Sequence, residues 1–237
     1  MSLSYDAATQ GYTVRDANGA SATFLPASKS PDSNETNTKI TTFNQAAGNT
    51  QDKLVLFNPG AGNPTMALSY VSYGAWRHSV GNGTSAALSF QYFVYGIRQD
   101  PNAPSTGSGS YATTVEGIWN NPDGIYVLAG TSNFTADFSS KTVATTLDLA
   151  GTNVSVMGGA AKSLGRFDGA GTIAALGGGF AGTFTHVGTD ADGNVFNGSF
   201  AGAFFGPQGQ EMGYTFSLTD PSGRGGTAAG AVVGKAN

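Results

Sequence analysis

The 237-residue chain contains no cysteine. That excludes disulfides, cysteine-ligated zinc and thiol nucleophiles. Charge is sparse as well, with Asp, Glu, Lys and Arg making up 11% of residues, against about 25% in an average soluble protein. The net charge of −4 and the lack of any Lys/Arg cluster argue against a nucleic-acid partner, which needs cations to neutralise phosphates. Only two histidines are present. No apolar run reaches the about 18 residues that a membrane-spanning helix needs. The N-terminus shows no basic region leading into an apolar core, so no signal peptide is visible. Met1-Ser2-Leu3 leads directly into a mature-looking segment, as when an export signal and a lipid-bearing cysteine have been removed.

What is abundant is glycine, at 36 residues, with Ser, Thr, Asn and Ala supplying much of the remaining surface. Polarity carried by hydroxyls and amides suits an extracellular or cell-surface β protein. Disorder is excluded because the Phe and Tyr residues fall in register with an alternating pattern. Period-2 runs follow one another from Met66: Met66–Trp76, Ala87–Tyr95, Ser110–Trp119, Thr131–Phe138, Thr142–Leu149, Gly169–Leu176, Gly179–Thr185, Phe196–Phe204, Met212–Leu218 and Thr227–Val233. Turn signals separate them at 81–83, 101–109, 121–124, 190–193 and 220–223. About eight or more up-and-down strands is the number at which a sheet closes into a barrel filled by its own side chains. Residues 66–237 are therefore expected to form an eight-stranded antiparallel barrel. Val154–Leu164 is expected to hold one or two helical turns, limited by Gly158-Gly159.

Residues 1–65 read as a smaller β-rich unit. Gly11–Asp16 and Ser21–Leu25 flank Asn18-Gly19, a hairpin signal that calls for positive φ at both turn positions. Pro26–Asn49 reads as an irregular exposed loop centred on Ser30–Asn37, and Lys53–Phe57 as a short strand. In the second part, Phe180-Ala-Gly-Thr-Phe184 and Phe200-Ala-Gly-Ala-Phe204 echo each other. Glycine alternating with Phe on one parity lets rings sit over neighbouring glycines, filling a narrow barrel. An aromatic ligand cavity is the less favoured alternative.

Several stretches resemble the barrel domain of the transferrin-binding protein B family. Ser69-Tyr70-Val-Ser-Tyr73-Gly74-Ala-Trp76 and Phe93-Val-Tyr95-Gly96-Ile-Arg98 resemble its opening. Gly109-Ser-Tyr111-Ala-Thr-Thr-Val115-Glu-Gly117 resembles its third strand, and Phe134-Thr-Ala-Asp137-Phe138 with Lys141-Thr142-Val143 its strand and turn. Phe204-Phe205-Gly206-Pro207 through Glu211-Met-Gly213 resembles the closing hairpin, and Gly230-Ala-Val-Val233-Gly234-Lys235 the last strand. The resemblance covers residues 66–237 and implies that residues 1–65 are the small handle subdomain preceding such barrels. It further implies an exported or surface-anchored, non-enzymatic binding protein of a Gram-negative bacterium, serving nutrient or iron acquisition through its loops. Relatives bind host transferrin, factor H or haem, so fold does not fix the ligand. The transferrin binder has two lobes where this chain has one handle and one barrel.

The chemistry candidates are few. His78, after Trp76-Arg77, and His186, at the end of the Phe180–Thr185 run, could each ligate haem iron; an exposed histidine at a strand end is the alternative for both. Two histidines alone do not make a zinc site. Asp190-Ala-Asp192-Gly193-Asn194 has the look of a calcium-loop fragment, but the twelfth loop position is Ala201, which cannot coordinate. It reads as a polar hairpin tip. Asp137 reads as a structural carboxylate without a catalytic partner, and Gly177-Gly178-Gly179 as no phosphate loop. Three functions are expected in order: a surface binding module acting through loops such as Ser30–Asn37 and Asp100–Ser108, a haem carrier using His78 or His186, and a structural outer-surface protein.

Overall fold

A computed structural model describes residues 1–100, 106–175 and 178–237. The described chain is all-β apart from one 3-10 turn, Pro26–Ser28. It divides into two compact units. The first comprises Met1–Ala67 and Gly74–Phe93, the second Leu68–Tyr73 and Val94–Asn237.

The first unit opens with a three-stranded antiparallel sheet of β1 (Ser2–Asp6), β2 (Gly11–Arg15) and β3 (Ser21–Phe24). The expected β2–β3 hairpin is present, but only Gly19 takes positive φ, at 93°. The Asp16 carboxylate shapes the turn instead, accepting the Asn18 and Ala20 N–H groups. A four-stranded sheet follows in the order β4 (Ile40–Ala47), β5 (Thr50–Phe57), β6 (Val71–Gly81) and β7 (Ala86–Gly96). β4 lies inside the stretch read as a loop. Its sequence is polar, yet it pairs along its whole length with β5 and buries Thr42 and Phe43. Phe43 meets the rings of Tyr12 and Phe24.

β6 and β7 correct a second expectation. Both runs were expected to open the barrel, and both lie in the four-stranded sheet. Trp76 of β6 stands opposite Leu54 of β5, and both are fully buried. Parity announces a strand but is silent about its sheet; the pairing with the apolar Lys53–Phe57 strand decides it.

The second unit is a closed antiparallel barrel of eight strands: β8 (Ser108–Asn121), β9 (Gly124–Asp137), β10 (Thr142–Asn153), β11 (Ala161–Ile173), β12 (Gly179–Val187), β13 (Asn197–Phe205), β14 (Glu211–Thr219) and β15 (Thr227–Ala236), with β15 pairing back onto β8. The eight-stranded up-and-down barrel read from the sequence is thus the observed one. Residues 154–160 form a connection and 161–164 the start of β11, where helical turns were expected. The 101–109 turn and the Gly169–Leu176 and 177–179 stretches fall partly outside the described residues.

Alternation fixes which face is inside. Outward positions carry short polar or small side chains, such as Thr131, Asn133 and Thr135 on β9, Thr183 and Thr185 on β12, and Ser199 on β13. Inward positions carry rings. Phe134, Phe180, Phe200, Phe204 and Tyr214 are all buried, and Phe134–Phe180, Phe180–Phe204 and Phe200–Tyr214 have centroids 5.0, 5.1 and 5.4 Å apart. Glycine makes room for them. One hydrogen-bonded row runs Thr145, Gly169, Phe184, Gly198, Leu218, and another Ile173, Phe180, Gly202, Tyr214, Val232. A Cβ on Gly169 would stand 2.6 Å from Thr145 Cγ2 and 2.7 Å from Phe184 Cε1. The Phe–Gly echo is a packing device, with large and small residues alternating around the wall.

Two hydrogen-bonded groups complete the barrel. The Tyr214 hydroxyl donates to Thr145 Oγ1 at 2.8 Å, and Thr145 donates to the Asn133 carbonyl; burial holds the Tyr214 phenol well above its ordinary value. Glu211, only 5% exposed, accepts backbone N–H groups from Ser69, Tyr70 and Val71 at 2.7, 2.7 and 2.8 Å. One carboxylate thereby satisfies three consecutive donors of a segment about 140 positions earlier in the chain.

Candidate functional site

Because rings fill the barrel interior, the surfaces available for recognition are its ends, its outer wall and the loops of the first unit. Ser30–Asn37 is such a loop, and its backbone is held from within. Glu35 accepts from Ser30 Oγ at 2.7 Å, from Asn44 Nδ2 at 3.0 Å and from Lys53 Nζ at 2.6 Å. The Lys53 ammonium, with the Ser30 and Asn44 donors, lowers its carboxyl to about 2. The Asn37 side chain accepts the Lys39 and Ile40 N–H groups, and Asn58 donates to the Asn37 carbonyl. Pro31, Ser33 and Asn34 are left exposed on this rigid frame. Asp100–Ser108, the other expected recognition loop, lies mostly outside the described residues.

The two histidines stand in different surroundings. His78 sits on β6 opposite Asp52 of β5. Asp52 Oδ1 accepts the Trp76 indole N–H at 2.8 Å and faces His78 Nδ1 at 2.7 Å. An ionised carboxylate only accepts, so Nδ1 carries the proton and the lone pair of the neutral ring lies on Nε2. The His78 side chain is 19% exposed. For His186 the alternative of an exposed strand-end histidine does not hold, because the residue is 8% exposed. It is inward on β12, its ring stacked on Phe167 at 4.4 Å between centroids and 13° between planes. Its Nδ1 accepts the Phe196 N–H at 3.2 Å. Its Nε2 is buried and makes no hydrogen bond of ordinary geometry. The structure keeps the two histidines in separate units.

The Asp190–Asn194 stretch is a hairpin tip. Asp190 accepts the Asp192 and Asn194 N–H groups and the Asn194 amide, the pattern of a side-chain-stabilised turn. Asp137 does the same for Ser139 and Ser140, and these N–H donors lower its carboxyl. Sequence reasoning missed Lys162. Its ammonium pairs with Asp123 at 2.9 Å and with Asp192, and lies 5.6 Å from the Trp119 and 5.8 Å from the Tyr126 ring centroids. Burial pulls this ammonium down, but Asp192 and Asp123 more than offset it, so it stays protonated beyond its ordinary range. The bridge ties the β8–β9 and β12–β13 connections together. At the same end the β10–β11 connection presents Val154, Val156 and Met157, the last fully exposed. Beside them on the wall lie Val127 and, directly across the ladder, Ile118. Among the described residues no three His, Asp or Glu side chains gather as a metal cluster would require.

A closed barrel whose interior is filled with rings leaves its ends, its outer wall and its described connections open to contact. The chain belongs to the family of C-lobe and N-lobe beta barrels of Tf-binding protein B, whose sequence model matches residues 80–235. Its fold is similar to that of Transferrin Binding Protein B from Haemophilus parasuis Hp5, solved as a double mutant, at 18% identity and TM-score 0.59, covering 98% of this chain and 43% of that one. It is similar also to isotype 1 Transferrin binding protein B from serogroup B Neisseria meningitidis, at 19% identity and TM-score 0.51, covering 95% and 39%. The chain thus spans about two-fifths of the length of these solved relatives. No curated protein matches it in sequence.

Proposed function

We propose that this chain is a non-enzymatic binding lobe, displayed on the outer surface of a Gram-negative bacterium, that engages a host iron-carrier protein of the transferrin or lactoferrin kind. The observation that carries the reading is membership of the Tf-binding protein B barrel family over residues 80–235. Two physical features support it. The interior is occupied by side chains, so recognition falls to the outside. The Ser30–Asn37 loop is pre-ordered by Glu35, which lowers the entropy lost on binding. Purified chain is tested against immobilised transferrin and lactoferrin, each iron-loaded and iron-free, by biolayer interferometry. Saturable binding at ~1 μM or tighter, about −8 kcal/mol, is expected for one of the carriers and is weakened by Asn34→Arg. Folded chain that binds neither carrier at tens of micromolar would sink the reading.

One specific observation favours a second reading, haem capture by His78. A carboxylate on Nδ1 that leaves Nε2 free is the arrangement that orients histidine ligands of metals. His78 with Asp52 therefore fits as an axial ligand to haem iron, whereas both nitrogens of His186 face protein. Haemin titration is expected to give a saturating Soret shift that His78→Ala abolishes and His186→Ala leaves in place. A flat titration removes this reading.

A further inference from the structure

His186 occupies a position in the barrel that the binding reading leaves unused. It lies near the end of β12, where the connection 188–196 leaves the wall. Its Nδ1 accepts the N–H of Phe196, the residue just before β13. The ring therefore bridges the two ends of that connection, from below the Phe167 face to the Phe196 backbone, and meets the Phe196 ring edge-on at 5.8 Å and 70°. With Nδ1 accepting, the proton of the neutral ring is on Nε2. Nε2 points at the backbone around Leu164 and Gly165. A Cβ on Gly165 would stand 2.5 Å from it, so only glycine fits beneath the ring.

This arrangement is compatible with one protonation state. A second proton would go to Nδ1 and face the Phe196 N–H, donor against donor at 3.2 Å. The imidazolium would also lose hydration with no hydrogen-bond acceptor of good geometry at Nε2. We propose that His186 is a proton-sensitive pin: protonation breaks the Nδ1–Phe196 bond, expels the ring from its slot and frees the 188–196 connection at this end of the barrel.

The charged neighbours define where the released ring goes. Asp190, in the connection itself, is the charge that acts on it. From β11, Lys162 is engaged by Asp123 and Asp192, while Arg166 and Asp168 pair with each other on the outside, about half exposed. β13, Asn197–Phe205, carries no charge. Freed imidazolium thus has Asp190 as its counter-ion. Loosening of the connection also reaches Asp192 and, through Lys162, the β8–β9 turn at Asp123. Burial lowers the His186 pKa from the ordinary 6.5, against the raising effects of Asp190 and the Leu164 carbonyl. The folded barrel therefore binds fewer protons here than the unfolded chain. Its stability from this site is full above pH 6.5 and is lost as pH falls below it.

NMR of the intact chain between pH 7.5 and 5 tests the pin. The His186 ring resonance is expected to titrate below 6.5, and the Phe196 and Thr189 amides to move with the same midpoint. Protection of the Phe196 amide, corrected for intrinsic exchange, falls by up to about tenfold per pH unit, the limit for one proton. His186→Gln removes the transition, and Asp190→Asn leaves it in place at lower pH. A ring that titrates while the Phe196 amide keeps its shift and protection overturns the proposal. So does the same amide transition persisting in His186→Gln. Because the wild-type titration alone can give the first of these results, the test stands even if the variants fold poorly.

Discussion

A single carboxylate, Glu211, satisfies the backbone of Ser69, Tyr70 and Val71. Charge-assisted bonds of this kind are roughly twice as strong as neutral ones, and their loss leaves buried donors unpaired. Glu211→Gln keeps the shape but sets an N–H₂ donor against either the Ser69 N–H or the Tyr70 and Val71 N–H groups, leaving one acceptor oxygen for the others. It is expected to cost about 2–3 kcal/mol, read as a lower denaturant midpoint at unchanged slope, and Glu211→Ala more. Nothing in the sequence announces this contact. A lone Glu at a strand start and a polar-aromatic stretch about 140 residues earlier share no local pattern. The same holds for the histidines. Their presence was legible, but the Asp52 that orients His78 is 26 residues away and becomes a partner only through the β5–β6 register. His186 looked like a strand-end residue because its inward parity is set by the barrel, and barrel closure is a long-range event.

At the level of strands, the informative signal was alternation, and it carried far. Phe180, Gly182 and Phe184 share a face, as do Phe200, Gly202 and Phe204, and in the ladder Phe180 stands opposite Gly202, Phe184 opposite Gly198 and Phe200 opposite Gly182. Gly169→Ala places a methyl against Thr145 and Phe184 and is expected to cost about 1–3 kcal/mol by overpacking. Shortening the ring with Phe184→Leu in the same chain should recover part of that loss, a coupling that a double-mutant cycle measures. Simple additivity of the two would disprove the ring-over-glycine account. Alternation fell short where membership mattered. It marked β6 and β7 as strands but could not say that Leu54 would be opposite Trp76. It also passed over β4, where Thr42 and Phe43 are buried amid Thr, Asn and Gln. A strand whose polarity is mostly hydroxyl and amide gives a weak period, because those side chains suit either face.

For the molecule as a whole, the distribution of rings and hydroxyls decides the solvent. Membrane barrels put apolar residues outward and polar ones within; here Thr, Asn and Ser face out and Phe faces in. The chain of residues 1–237 is therefore expected to enter the aqueous phase in a detergent phase separation, and recovery in the detergent phase would contradict the assigned faces. Rim electrostatics give a further expectation. Lys162 sits between two connections and over two rings, with only 14% of its side chain exposed. Lys162→Met should therefore speed amide exchange in both the 121–124 and 188–196 connections while leaving the β13–β14 ladder unchanged. Exchange rising in one connection alone would show that the bridge does not couple them.

The exposed β10–β11 connection has a chemical consequence of its own. Met157 is fully open to solvent, whereas Met212 is completely buried in the barrel. Thioether oxidation follows access, so mild peroxide should convert Met157 to the sulfoxide well before Met212, as peptide mapping would record. The turn that projects Val154, Val156 and Met157 would then exchange an apolar tip for a polar, chiral one. The oxidative history of a preparation would be written first at that side chain, with the less exposed Met1 behind it, while the ring-filled interior keeps Met212 reduced.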